Sequence, residues 1–281
     1  MCALNLNKPQ PRAESQSSSA SVINRSPRPS NGNSSSTHKS TFVRADKPLT
    51  KRIIISLTGE EKTGKNHTSL TAPSPIYVHS FDIGLDGVVQ KFQDEKKIYV
   101  ADYELTVQPG EASAGEVAEA ADKVWQQFVS NYRDGLASCG NGTTVVDTDT
   151  ELYELLRLAR FGKLTQIMPH HYGPVNAELR DVIRESYDHD ANVFFLSKKC
   201  PVWENYIDST GKEKGRKTGE LARKGFGDLA FLVQVVATTV RDDTPEGTVF
   251  NVEIEDCRFN PAANGQIVLN DYDSIMGAIF G

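Results

Sequence analysis

The chain has 281 residues, 38% hydrophobic and 24% charged, enough to bury an ordinary domain core beside one long polar extension. Its net charge of −6 is unevenly spread: through Arg52, nine Lys and Arg face only Glu14 and Asp46, so that segment is about +7 and the remainder about −13. Apolar runs of membrane-spanning length and a signal-peptide core are missing, and Cys2, Cys139, Cys200 and Cys257 lack C-x-x-C spacing, which excludes membrane, disulfide-framework and zinc-ribbon readings. The scattered cysteines fit a reducing cytoplasm, the expected location.

Residues 1–48 are rich in Ser, Asn, Pro and Arg and nearly devoid of large apolar side chains, the composition of a disordered tail. Their positive charge suits either loose attraction to nucleic acid or a solvated extension. Ile53, Ile54 and Ile55 then open a β-branched strand that ends at Leu57-Thr58. Gly59, four residues, Gly64 and Lys65 follow, matching the G-x-x-x-x-G-K phosphate-binding loop. The glycines let successive N–H groups turn inward on a phosphate chain. The lysine adds a point charge, and the next helix presents its positive end. The spacing offers nucleotide contact at Gly59, Glu60, Glu61, Lys62, Thr63, Gly64, Lys65, Asn66 and His67, the alternative being a glycine-containing strand-to-helix turn that carries a lysine. Asn66 stands where Ser or Thr normally offers a hydroxyl to Mg²⁺, so an amide oxygen, or nearby Thr68, has to serve instead.

A short helix over 67–70 is expected to stop at Ala72-Pro73-Ser74-Pro75. A second strand over 76–81 ends at Asp82, and Gly84, Asp86 and Gly87 form a turn before a helical piece at 88–92. An acid at the end of such a strand is placed either to activate water or simply to turn the chain. Residues 97–107 read as a third strand, and Val117, Ala121, Val124, Trp125, Phe128 and Tyr132 mark a helix closed by the glycine-rich stretch 134–142. Thr143-Thr144-Val145-Val146-Asp147 is a short buried strand whose terminal acid suits magnesium, with Asp149 as the alternative. Thr148 and Glu151 begin a helix bearing Leu152, Leu155, Leu156 and Ala159 on one face.

Residues 162–174 read as irregular, and the adjacent His170 and His171 lack a partner spacing for metal. A further helix spans 176–187, and the strand 192–196 ends at Ser197-Lys198-Lys199, where a polar group can sense a terminal phosphate. Residues 200–227 are polar and cationic. Lys212, Lys214, Arg216, Lys217, Arg223 and Lys224 interleave with Trp203, Tyr206 and Phe226, which fits either a flexible single-strand-binding loop or a solvated hairpin. Strands over 229–240 and 249–259 flank a turn at 243–247, and a short apolar piece, 274–280, closes the chain. The expected fold class is α/β: a doubly wound, mostly parallel sheet with a C-terminal antiparallel hairpin edge, and ligand groups gathered at its carboxyl edge.

The loop Gly59–Lys65, the turn Phe81-Asp82-Ile83-Gly84-Leu85-Asp86-Gly87, and Val145-Val146-Asp147-Thr148 leading into Glu151-Leu152 resemble the RecA-like P-loop ATPases of tailed phages. These are single-domain proteins of the AAA-ATPase type associated with recombination and single-strand annealing. The resemblance covers roughly residues 50–260. It implies a RecA-like P-loop NTPase domain over 49–281 that binds ATP and Mg²⁺. It further implies single-stranded DNA as partner, assembly of several subunits, and association with a single-strand-binding protein. Lys65, Asp82 and Asp147 become the catalytic candidates, with Asn66 and Asp147 at the metal. The family's glutamate two residues past the strand-end aspartate is replaced by Gly84, so Asp82 or Asp86 has to substitute. Two other readings stay open: a DNA-annealing protein that binds nucleotide without hydrolysing it, and a small-molecule P-loop kinase with residues 212–224 as a lid.

Overall fold

The computed structural model describes residues 52–82 and 84–281; the tail assigned to residues 1–48 lies outside the described residues. Nine strands form one sheet in the order β3-β2-β4-β5-β1-β7-β8-β9, with β6 paired to the outer part of β5. The parallel part comprises β1 (Ile54–Gly59), β2 (Ile76–Ser80), β3 (Ile98–Asp102), β4 (Thr143–Asp147), the first half of β5 (Asn192–Ile207) and β7 (Val235–Thr244). Antiparallel β8 (Gly247–Cys257) and β9 (Ile267–Leu269) complete the C-terminal edge, and β6 (Glu213–Arg223) folds back on β5. The doubly wound α/β sheet with an antiparallel C-terminal edge expected from the sequence is thus the fold observed.

Both faces of the central strands are buried, which explains their nearly continuous apolar runs. Successive residues alternate between two cores. Ile54, Val146, Val193 and Phe195 pack under α2 (Ala114–Ser138), α3 (Asp149–Phe161) and α4 (Tyr172–Glu185). Ile53, Ile55, Leu57, Phe194 and Leu196 pack under α1 (Lys65–Thr71) and α6 (Tyr272–Phe280). Ser113 caps α2 with a reciprocal capping box to Glu116, and the Thr148 hydroxyl accepts from the Glu151 N–H at the start of α3.

Several elements differ from the sequence expectation. β3 stops at Asp102 rather than near 107, because Tyr103 turns inward to stack on Phe81 at 4.6 Å and to bond His79 Nδ1 at 2.9 Å. α2 continues to Ser138 through Gly135, which gives the room where the helix crosses Tyr77 and His79. α4 begins at Tyr172, inside the stretch read as irregular. Residues Leu229–Leu232 form a single helical turn, α5, rather than the start of a strand. Short apolar runs of this kind are ambiguous by periodicity alone. β9 has no counterpart in the sequence reading.

Of the two forms open for residues 200–227, loop or hairpin, the structure has the hairpin: β5 runs past the sheet and pairs with β6 from Lys199↔Arg223 to Ile207↔Glu213. Pro201, which has no N–H to give, sits at the register shift that lets the strand continue.

Candidate functional site

The loop after β1 curls because of where its small residues stand. Gly64 has φ 94°, a left-handed conformation that favours glycine, and Lys62 also adopts a positive φ of 58°. A side chain on Gly64 would run into the Asn270 amide, and one on Gly59 would overlap the Thr239 hydroxyl. Thr63 fixes the loop from within: its hydroxyl bonds Thr239 Oγ1 at 2.6 Å and donates to the Glu60 carbonyl at 2.9 Å. Helix α1, at seven residues, is too short for its dipole to carry the site, so the loop backbone has to do so. The Lys65 ammonium is drawn back onto the loop, donating to the Gly59 and Glu60 carbonyls at 3.0 and 2.6 Å. Burial lowers its pKa, opposed by attraction to Asp147 and reinforced by repulsion from Lys198.

Across the cleft the strand ends converge. Asn66 Nδ2 donates to Asp147 Oδ2 and to the Gly84 carbonyl, each at 3.0 Å, so the two residues assigned to magnesium touch each other. Gly84 lies against both, and a Cβ there would come within 3.2 Å of the Asn66 amide nitrogen. Asp147 is buried, with its pKa pushed up to about 6 by burial first and by Asp82 second, against the pull of Asn66, Lys65 and Lys198. Lys198, at the point where β5 leaves the sheet, bridges Asp82 Oδ2 at 2.8 Å and Glu151 Oε1 at 2.6 Å. Burial alone would lower the Lys198 pKa, but its bonds to Asp82 and Glu151 outweigh that and raise it.

No group of three or more His, Cys, Asp or Glu among the described residues is arranged to hold a metal by itself. The donor set here is of another kind. A buried carboxylate beside a loop shaped for phosphate suits Mg²⁺, which takes one or two carboxylates and fills its shell with phosphate oxygens and water. Asp147 fits that role directly. Asn66 fits it only if its carbonyl end turns toward the ion, since the amide now donates to Asp147.

All nine residues from Gly59 to His67 line one cleft of about 880 Å³, together with Asp82, Gly84, Asp86, Asp147, Thr148, Lys198 and Lys199. The sequence-assigned catalytic and nucleotide groups therefore meet in one place. Asp149 does not join them: it is buried and ion-paired to Arg223 at 3.2 Å. Phe250 and Asn270 also line the cleft, and sequence reasoning missed both. They arrive from β8 and from just past β9, some 200 residues away in the chain, and no local motif announces them.

The six cations assigned to DNA divide into two groups. Arg223 and Lys224 lie at the base of the hairpin: the first pairs with Asp149 and donates to the Phe226 carbonyl, the second pairs with Glu154 at 2.8 Å. Lys212, Lys214, Arg216 and Lys217 lie along the exposed arm. There Lys214 pairs with Asp208, Arg216 pairs with Glu204 and sits over the Tyr206 ring, and Lys217 sits over Trp203. No described helix is long and apolar enough to cross a membrane.

No family model and no curated protein matches the sequence. Among solved structures, a KaiC-like protein from the hyperthermophilic archaeon Pyrococcus horikoshii is similar. It shares 11% identity over 77% of this chain and 83% of that one, with a TM-score of 0.39.

Proposed function

We propose that this chain is a RecA-like P-loop ATPase that binds ATP with Mg²⁺ in the cleft and uses it in recombination-type pairing of single-stranded DNA. The observation that carries the reading is the convergence of Lys65, Asp147, Asp82 and Lys198 around a loop whose glycines keep it open to phosphate. Magnesium, when bound, supplies charge neutralisation of the phosphate oxygens. Lys65 leaves the loop carbonyls to meet the β and γ oxygens. Asp147 would hold the metal. Asp82, in the cleft and held by Lys198, is the carboxylate assigned to orient a water for in-line attack. Positioning and electrostatics supply most of the acceleration in this chemistry.

The single-strand assignment rests on the arm. It carries four cations beside exposed Trp203 and Tyr206, and base stacking on aromatics with backbone neutralisation by cations is how unpaired strands are held. One observation favours a second reading, a nucleotide-binding switch without turnover. Asp82 is already charge-paired with Lys198, and Gly84 occupies the place of the expected glutamate. Steady-state phosphate release by the purified protein, titrated with a single-stranded oligonucleotide, separates the two. Turnover stimulated by the oligonucleotide supports the ATPase. Nucleotide binding without turnover supports the switch, and no nucleotide binding at all sinks both.

A further inference from the structure

The cleft has a direction. Asp82, Asp86, Asp147 and Lys198 come from the ends of β2, β4 and β5, on one side of β1 in the sheet. Phe250 on β8 and Asn270 just after β9 come from the opposite side. A nucleotide whose terminal phosphate lies toward Asp147 and Asp82 must therefore extend its base toward β8. Two aromatic rings line the cleft, His67 and Phe250. His67 is taken up edge-on by Phe92, with ring centroids 5.2 Å apart. Phe250 has no ring partner among the described residues, stays 38% exposed, and stands 3.7 Å from where a Gly64 Cβ would be. Asn270 fixes the adjoining floor through its bond to the Gly64 carbonyl at 3.3 Å.

We infer that Phe250 is the stacking platform for the nucleobase, so that the antiparallel edge of the sheet supplies the base subsite of the phosphate cleft. This rests on the reading of the cleft as a triphosphate site, and it adds a residue that the phosphate loop does not encode. An aromatic face holds any base but rewards the larger purine ring. The ring bonds to no edge of the base, so it grips without reading sequence of donors and acceptors.

Isothermal titration calorimetry with ATP and with inorganic tripolyphosphate, both with magnesium, tests it. Wild type should bind both ligands, ATP the more tightly. Phe250→Ala should weaken ATP by about 5- to 150-fold, the range that base–aromatic stacking spans, and leave tripolyphosphate unchanged. Phe250→Trp should restore ATP affinity, with circular dichroism verifying the fold of both variants. If Phe250→Ala weakens neither ligand, or both equally, the ring is loop packing or exposed surface of β8 and the inference is overturned. If wild type binds neither ligand, the triphosphate reading itself fails and takes this one with it. If tripolyphosphate binds as tightly as ATP, the triphosphate reading stands and the base subsite alone is lost.

Discussion

The phosphate loop and the β5–β6 arm are both polar and both contain glycine and lysine, yet the structure treats them oppositely. At the loop three residues are fixed by a neighbour from another element: Thr63 by Thr239, Gly64 by Asn270, Asn66 by Asp147. In the arm the cations are matched by carboxylates of the same hairpin, Lys214 with Asp208 and Arg216 with Glu204. Exposed pairs of that sort are worth little and exchange readily with another anion. The loop is thus built to hold one shape, and the arm to hold charge ready for a partner. The base of the arm joins the two regimes. Thr150, three residues past Asp147, accepts from the Lys198 N–H and donates to the Lys224 carbonyl, tying both arm strands to the first turn of α3.

The sharpest way to break the comparison is at the loop. Lys65→Ala removes the one cation that the loop holds against its own carbonyls, and ATP binding should be abolished. Unchanged affinity for a fluorescent ATP analogue, with the fold intact by circular dichroism, would show that the loop is only a strand-to-helix turn. A smaller loss is expected at Asp82. Asp82→Asn breaks the charge pair with Lys198 and removes the candidate base, so nucleotide binding should persist while turnover falls by roughly a hundredfold or more. Normal turnover in Asp82→Asn with a loss in Asp86→Asn would transfer the role to Asp86.

What was legible in the sequence follows the same division. The loop, the strand ending in Asp147 and the helix behind it were readable because each depends on residues adjacent in the chain: glycine spacing, a β-branched run, a Thr at the cap. The double winding was readable because buried parallel strands demand uninterrupted apolar runs, which Ile53–Ile55 and Val193–Leu196 supply. The form of the arm stayed open between loop and hairpin because polar, exposed strands carry no hydrophobic period, and its backbone is satisfied only by pairing across the hairpin. Lys198 was noticed as a polar strand end, but its partners Asp82 and Glu151 come from two other elements. Phe250 looked like an ordinary strand residue, since nothing local says that β8 reaches the Gly64 turn.

Replacing Lys212, Lys214, Arg216 and Lys217 by Ser tests whether the arm's charges are available to a partner. Single-strand affinity should fall and its salt dependence flatten, because each lost phosphate contact lowers the slope by about 0.7 for single strands. The pairing seen here makes the size informative. If Lys214 and Arg216 stay with Asp208 and Glu204, the slope should drop by about 1.4, and if they change partners, by about 2.8. Filter binding of a labelled oligonucleotide across a salt series reads the difference. No change in affinity or slope would reduce the arm to a solvated hairpin.

The smallest effect isolates the contrast in a single residue type. Gly59 and Gly215 both stand in extended segments, one ending β1 and one in β6. At Gly59 a methyl group would overlap the Thr239 hydroxyl and crowd Thr63 Oγ1 at 2.6 Å, so the loop would have to shift. At Gly215 the nearest atom is the Trp203 ring at 3.6 Å, an ordinary packing distance, and the backbone is not left-handed. Gly215→Ala should therefore leave nucleotide binding untouched and favour the paired arm by roughly 0.5 kcal/mol, the usual advantage of Ala over Gly inside a strand. Amide hydrogen exchange across residues 203–217 is the measurement, since global melting does not sense a hairpin that stands clear of the core. Slower exchange in the arm with unaltered ATP affinity is the expected outcome. A loss of ATP affinity in Gly215→Ala comparable to that in Gly59→Ala would mean that arm and loop are one cooperative unit rather than two differently built regions.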